Sequence, residues 1–212
     1  MPPPRSDSGT ASASETPLGP LLALARGVDA LNRAVGAFAA WLTVPMVLFA
    51  VVSAVASALD KRFGTHLASN AWIDAQWYLF GGVFLLGAPF ALARGAHVRV
   101  DALYSRFAPR TRHWIDLAGG VLFLLPFCIF AATECFDFAQ RSFELREASN
   151  DPGGLLRYPI KALLPVAFAL LGLQGLAQVV KHAAVLRGAS PLDVGLGEAL
   201  HDEVEHGGEH AR

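Results

Sequence analysis

Two acidic residues are the side chains best placed for chemistry inside a membrane. They lie in the third of the four long apolar blocks of the sequence, which covers roughly residues 114–138. Glu134 and Asp137 lie three residues apart near the end of that block. Ionisable groups within a membrane are costly and often mark an ion or proton path. Both residues are also close enough to the block's end to reach the membrane–water interface. We therefore interpret them as a solvated helix end, with a transport role as the alternative.

Histidines offer a second kind of chemistry. His97, His113 and His182 all fall near one membrane surface and would ligate haem if two of them met at one depth. None lies well inside an apolar block, so we expect no haem site. The segment 201–210 also contains His and Glu, but nothing fixes the geometry of these side chains, and a solvated tail is the better interpretation.

Catalytic patterns are the next candidates. We find no nucleophile–base arrangement, phosphate-binding loop or paired carboxylate site in the sequence. We therefore expect neither an enzyme nor a protein with a cofactor or metal of its own. The formal net charge of -1 gives no indication of a nucleic-acid partner.

The elements that carry these residues are four long apolar blocks. They cover roughly residues 35–59, 72–93, 114–138 and 159–180 and contain almost no charge. Each has the ~20 residues that a helix needs to cross a hydrocarbon layer ~30 Å thick. The blocks lack the polar stripe of a soluble bundle. The sequence thus predicts an all-α integral membrane protein with four transmembrane helices. Asp116 is expected in the first turn of the third helix, where the helix dipole favours an acid.

Loop charges predict the orientation. With the N-terminus inside, basic residues are more numerous in the cytoplasmic segments, and the dense cluster lies between Arg94 and Arg112. We therefore predict that both ends are cytoplasmic (N-in/C-in). Residues 1–20 are expected to form a disordered tail, 21–188 the four-helix transmembrane domain and 189–212 a polar C-terminal tail.

Two further segments are predicted to be amphipathic helices on the inner membrane surface. One has apolar residues at Val100, Leu103, Tyr104 and Phe107, with arginines available for lipid headgroups. An ordinary positively charged loop is the alternative there. The other precedes the first span and repeats the spacing at Leu21, Leu24, Val28, Leu31 and Val35.

Glycines in the spans predict close helix contact, because they let two backbones approach. The residues concerned are Gly81, Gly82, Gly87, Gly119, Gly120, Gly172 and Gly175. Each span also contains a proline, which removes a backbone donor and can kink its helix. We interpret both features as packing devices.

Polar residues at fixed places resemble a known family. The first half has the stretches QWYLF at 76–80, FLLGA at 84–88 and HVRVD at 97–101, followed by YSR at 104–106. The second half has EAS at 147–149, GGL at 153–155, PIKALLP at 159–165 and LQG at 173–175. Together, over about residues 29–187, they resemble the small (DctQ-like) membrane subunit of TRAP, or tripartite ATP-independent periplasmic, transporters. Asp74 departs from the family pattern, which has Glu there.

The resemblance implies a role. In such systems a soluble periplasmic protein captures an organic acid or related solute, and a large membrane subunit carries it inward with a sodium or proton gradient. The small subunit is then a fixed scaffold that also helps to dock the binding protein. The coupling ion is expected in the large subunit, and the location implied is a bacterial inner membrane.

For such a scaffold, we hypothesise which residues form partner or lipid interfaces. His97, Arg99, Asp101 and Arg106 are expected to anchor the inner loop to headgroups or to the large subunit. On the outer loop, Glu147 and Ser149 are candidates for contact with the binding protein, together with Asp151. Lys161 is expected to extend outward or to pair with an outer acid.

Other functions stay open from the residues alone. One is an independent small transporter that works as a dimer, which would need an acid in mid-span. A second is a membrane electron-transfer subunit with haem, and a third is an assembly protein for an unrelated complex.

Overall fold

The computed structural model describes residues 19–95 and 107–196. Four long helices make up nearly all of it: α1 (Gly19–Phe63), α2 (Asn70–Ala93), α3 (Pro109–Glu144) and α4 (Tyr158–Leu186). All four are long and apolar enough to cross a membrane. The four spans predicted from the sequence are therefore confirmed as four long apolar helices.

The helices alternate in direction, which gives the bundle two ends. We call the end where α1 begins and α4 ends the proximal end, and the opposite end the distal end. α4 packs against each of the other three helices. Antiparallel packing of α3 on α4 is marked by the ring contacts Phe127–Phe168 and Phe143–Tyr158. Groups held by α4 are thus the ones best placed to tie the bundle together.

Helix α1 differs from the predicted arrangement. The sequence predicts a separate surface helix before the first span, but α1 continues without interruption from Gly19 to Phe63. Most of the apolar residues predicted to face the membrane in this segment are exposed, including Leu21, Leu24 and Leu31. Apart from Leu22, the residues of this segment that are buried against the bundle are small or polar: Ala25, Asp29, Asn32, Gly36 and Ala39. In a membrane, large apolar side chains suit lipid, whereas small and polar ones mediate helix contact.

Helix α3 contains a widened turn. Residues Gly120–Leu124 have π-helical hydrogen bonding, and the Leu125 N–H donates to the Gly120 carbonyl five residues back. Pro126 lies two residues after this turn, and in a regular helix its ring would clash with the carbonyl four residues earlier. The wide turn accommodates the proline without ending the helix. Because α3 begins at Pro109, Asp116 is not in its first turn, and that prediction is wrong.

Glycine contacts confirm most of the predicted close packing. A Cβ on Gly120 would lie 2.8 Å from Val179 Cγ2, and one on Gly175 would lie 2.8 Å from Leu124 Cδ2. These two glycines let α4 cross the wide turn of α3. Gly81, Gly82 and Gly172 also have a neighbouring helix within contact distance, whereas Gly87 and Gly119 face open space, so the prediction is wrong for those two.

Residues 189–196, at the start of the predicted C-terminal tail, fold back onto the proximal end. Val194 is buried against Leu22 of α1 and Ala184 of α4. A small apolar cluster therefore covers the place where α1 and α4 meet.

Candidate functional site

A buried polar cluster connects α1 and α4 near the proximal end. It consists of Asp29 and Asn32 on α1 and of Gln174 and Lys181 on α4, and we call it the proximal cluster. Asn32 and Gln174 are 0% exposed, and Lys181 is 2% exposed. Polar groups buried this deeply are expensive unless each finds a partner.

The proximal cluster is held by three direct contacts. Asn32 Nδ2 donates to Gln174 Oε1 at 2.7 Å, and Gln174 Nε2 donates to Asp29 Oδ1 at 2.8 Å. The second carboxylate oxygen of Asp29 forms an ion pair with Lys181 Nζ at 2.6 Å. The Gln174 amide thus uses its acceptor and a donor, and both Asp29 oxygens are engaged. This geometry fixes the rotation and the axial position of α1 relative to α4.

Helix α2 joins the same end of the bundle through Gln178. The Gln178 Nε2 donates to the Leu92 carbonyl at 3.2 Å, in the last turn of α2. The last carbonyls of a helix have no partner within it, so this side chain satisfies one of them. Gln178 lies one turn from Gln174, and a single face of α4 therefore contacts both α1 and α2.

Two of the histidines considered as haem ligands meet at the proximal end. His113 Nδ1 and His182 Nδ1 are 2.9 Å apart, which is a hydrogen-bond distance. Two axial ligands of one iron would be ~4 Å apart at 2.0–2.1 Å per metal–nitrogen bond. The pair therefore connects α3 with α4, and Asp116 Oδ2 lies 3.7 Å from His182 Nε2.

At the distal end, an ion pair braces the connection between α3 and α4. We call residues 145–157 the α3–α4 loop. Glu147 pairs with Lys161 of α4 and also accepts a hydrogen bond from Ser142 Oγ at 2.7 Å. The pKa of Glu147 lies below its ordinary value because Lys161 and Ser142 donate hydrogen bonds to the carboxylate. Of the two alternatives expected for Lys161, extension outward or pairing with an acid, the structure has the ion pair.

The α3–α4 loop is also held by α2. Asp74 Oδ2 accepts a hydrogen bond from the Leu155 N–H at 2.9 Å, and Tyr78 Oη donates to the Leu155 carbonyl at 3.4 Å. Asn70 Nδ2 donates to the Pro152 carbonyl at 3.0 Å. Asp74 lies where the resemblance leads us to expect Glu. Its shorter side chain reaches the Leu155 N–H of the loop.

Two backbone hydrogen bonds join the beginning and the end of the loop. The Ser149 N–H donates to the Leu155 carbonyl at 2.9 Å, and the Arg157 N–H donates to the Glu147 carbonyl at 2.8 Å. Gly154 lies against Ser149 and Asp74 so closely that an added Cβ would be 2.5 Å from Asp74 Oδ2. The loop therefore has a defined shape.

The predicted interface residues divide into two groups. Glu147, Ser149 and Lys161 come together at the distal end, where each contributes to holding the α3–α4 loop. His97, Arg99, Asp101 and Arg106 lie outside the described residues.

Sequence reasoning missed the proximal cluster. Its signal on α1 was the spacing of Leu22, Ala25, Asp29, Asn32 and Gly36, which repeats at three and four residues and is the spacing of a helix seam. Its signal on α4 was Gln174, which was recognised only as part of the LQG stretch at 173–175.

Comparisons with known proteins place the chain in a family. Searches of curated proteins and of solved structures each gave no significant match. The family model described as "Tripartite ATP-independent periplasmic transporters, DctQ component" matches residues 62–185. This range covers α2, α3 and nearly all of α4, including Gln174, Lys181 and the braced α3–α4 loop. The chain therefore belongs to the DctQ family, the small membrane component of TRAP transporters.

Proposed function

We propose that this protein is the small scaffold subunit of a secondary-active TRAP transporter that imports an organic acid or a related solute. It acts together with a large membrane subunit and a periplasmic solute-binding protein. The observation that carries the proposal is the family match over residues 62–185, which covers more than half of the chain.

The polar contacts suit a stationary support. A scaffold must keep its helices in register while a neighbouring transport domain moves. The proximal cluster resists sliding of α1 along α4, and the Glu147–Lys161 pair fixes the loop at the other end. Because these contacts lie at opposite ends of α4, they also oppose tilting of that helix relative to its neighbours.

The orientation that we propose is N-in/C-in in the inner membrane of a bacterium with a periplasm. The α3–α4 loop then faces the periplasm, and Glu147 and Ser149 are on the side from which the binding protein approaches. His97, Arg99, Asp101 and Arg106 then belong to the cytoplasmic side, and they remain candidates for contact with headgroups or with the large subunit. The sodium or proton gradient acts on the large subunit.

Gentle detergent purification of the tagged chain from its native host tests the proposal. We expect a stoichiometric, much larger polytopic membrane protein to copurify and to be identified by mass spectrometry. Recovery of this chain alone as a stable homodimer would contradict the scaffold function and favour an independent small transporter.

The interface roles have their own test. Arg99→Ala and Glu147→Ala are carried through the same purification and through solute uptake in the host. Lower recovery of the complex or slower uptake is expected. Normal assembly together with normal uptake would contradict both roles.

A further inference from the structure

One exposed face of α3 carries charged residues at a membrane depth where α1, α2 and α4 have none. The residues on this face are Phe123, Phe130, Glu134, Asp137, Arg141 and Glu144, and we call them the α3 stripe. Phe123 is 75% exposed and Phe130 is 65% exposed, and the four charged residues are exposed as well. The stripe is therefore directed away from the contacts that α3 makes within the bundle.

The depth of the stripe follows from contacts between α3 and α4. The charge-free part of α4 lies between Lys161 and Lys181 and is about 28 Å long at 1.5 Å per residue. At one limit of this layer, the Lys161 Nζ lies 4.1 Å from the centre of the Phe138 ring on α3. Glu134 is four residues closer to the middle than Phe138, which places it about one helical turn inside the layer.

A carboxylate in that position needs a partner. Acyl chains offer no hydrogen bonds, so charged groups inside membranes typically face protein or water and pair with another group. Among the residues that the structure describes, no hydrogen bond or ion pair holds Glu134 or Asp137. The basic side chain at a matching depth, Lys161, is already paired with Glu147. The corresponding parts of α1, α2 and α4 contain no charged residue.

The spacing of the stripe is that of a helix–helix seam. Phe123, Phe130, Asp137 and Glu144 follow one another at seven residues, and Glu134 and Arg141 form a second series at seven. Two interleaved heptad series keep one face against a partner helix over several turns. A surface that contacts only lipid has no need for charges in this register.

The charges of the stripe indicate what kind of partner it fits. The stripe has three carboxylates and one guanidinium, and is therefore acidic. A second copy with the same orientation in the membrane would be related by a two-fold axis along the membrane normal. That symmetry places equal residues at equal depth, so Glu134 would face Glu134 and like charges would repel.

We propose that the α3 stripe is the docking face for a helix of the large membrane subunit. That helix presents Lys or Arg at the depth of Glu134 and Asp137 and apolar side chains against Phe130 and Phe123. The inference rests on the proposed function, since it names the surface that the scaffold uses.

Charge reversal tests the inference in the full chain. The variant Glu134→Lys/Asp137→Lys is expressed in the native host, and recovery of the large subunit is compared with wild type. We expect recovery to fall about tenfold or more, because like charges across an interface are strongly unfavourable. The control Asp193→Lys reverses one acid at an exposed position outside the stripe and should leave recovery unchanged. Its matched partner is the single variant Glu134→Lys, which makes the same change in net charge and should lower recovery. Thermal unfolding of each purified chain checks that the variants fold.

Photocrosslinking gives a readout that does not depend on stability. A photoreactive phenylalanine replaces Phe130 in one variant and Phe136 in another. Phe136 is also exposed but lies about 120° around the helix. We expect crosslinks to the large subunit from position 130 at several times the yield from position 136. Reversing the captured basic residue to Glu should then restore assembly with Glu134→Lys/Asp137→Lys.

The outcomes separate the two proposals. If the wild-type chain recovers no large membrane partner, the proposed function fails. If it does recover the partner but the charge-reversed variant does so equally well, the inference about α3 is wrong. Crosslinks from position 130 that reach only lipid, or only a second copy of this chain, would also overturn the inference.

Discussion

The Asp29–Lys181 ion pair gives the sharpest test of the proximal cluster. Asp29→Asn keeps an oxygen that accepts the hydrogen bond from Gln174 but removes the charge that balances Lys181. Lys181 is almost fully buried, so its ammonium would remain without compensation. Breaking a buried ion pair from one side costs about 3–5 kcal/mol.

This loss of free energy of unfolding can be converted into a shift of the melting temperature. For a chain of 150–250 residues, 1 kcal/mol corresponds to a shift of about 2–4 °C in Tm. Asp29→Asn should therefore lower the Tm by about 6–20 °C. Lys181→Met should cost less, because the Asp29 carboxylate that remains is more exposed and keeps its bond from Gln174.

The double variant Asp29→Asn/Lys181→Met separates the ion pair from general damage. Replacing both partners of a buried pair by neutral groups is often close to neutral. We therefore expect the double variant to be more stable than Asp29→Asn alone. Tryptophan fluorescence of the purified protein in detergent follows the unfolding, since the chain has four tryptophans. The exposed variant Lys61→Met is the control and should shift the free energy of unfolding by less than about 0.5 kcal/mol.

Two results would refute this reasoning. One is an unchanged Tm for Asp29→Asn, which would mean that Lys181 is hydrated and not buried as described. The other is a double variant that loses the sum of the two single losses, because additive losses indicate that the two side chains do not interact.

Two further predictions concern the α3–α4 loop. The Glu147 pKa is lowered on folding, so the contribution of this carboxylate to stability is complete above the ordinary pKa of 4.5 and is lost as the pH falls towards the folded pKa. In the wild-type protein, hydrogen exchange of the loop should therefore rise in that acidic range. Glu147→Gln should remove this pH dependence. A loop equally protected at all acidic pH values would contradict the role of the ion pair. Gly154→Ala should destabilise the loop by about 1–3 kcal/mol, because the new Cβ would collide with Ser149 and Asp74. Gly87→Ala, which meets open space, should be harmless in the same exchange measurement, and equal effects of the two substitutions would contradict the packing argument.

The spans and the distal brace could be predicted because their signals are local. Charge-free blocks of the right length specify the helices, and Lys161 near the start of a span needs an acid within reach. The family stretches around Glu147 and Gln174 also come directly from the sequence. None of these inferences requires knowing which helices are neighbours.

The proximal cluster could not be predicted because it depends on tertiary register. Asp29 and Gln174 are far apart in the sequence, and only the packing of α1 on α4 brings them together. The face of α1 that packs against α4 was not predicted for another reason. Large apolar residues such as Leu24 indicate the core in a soluble protein, but here most of them are exposed, and the contact residues other than Leu22 are small or polar.

The separation of Asp29 and Asn32 from their partners also has a consequence for biosynthesis. Asn32 and Gln174 are 142 positions apart in the chain. At about 5–20 residues per second, the ribosome needs roughly 7–30 s to reach Gln174 after it has added Asn32. During that interval the polar face of the first helix has none of the α4 groups that later bind it. Completion of the last helix is therefore the step that closes the bundle, and until then the nascent chain exposes polar groups of α1 that are buried in the finished protein.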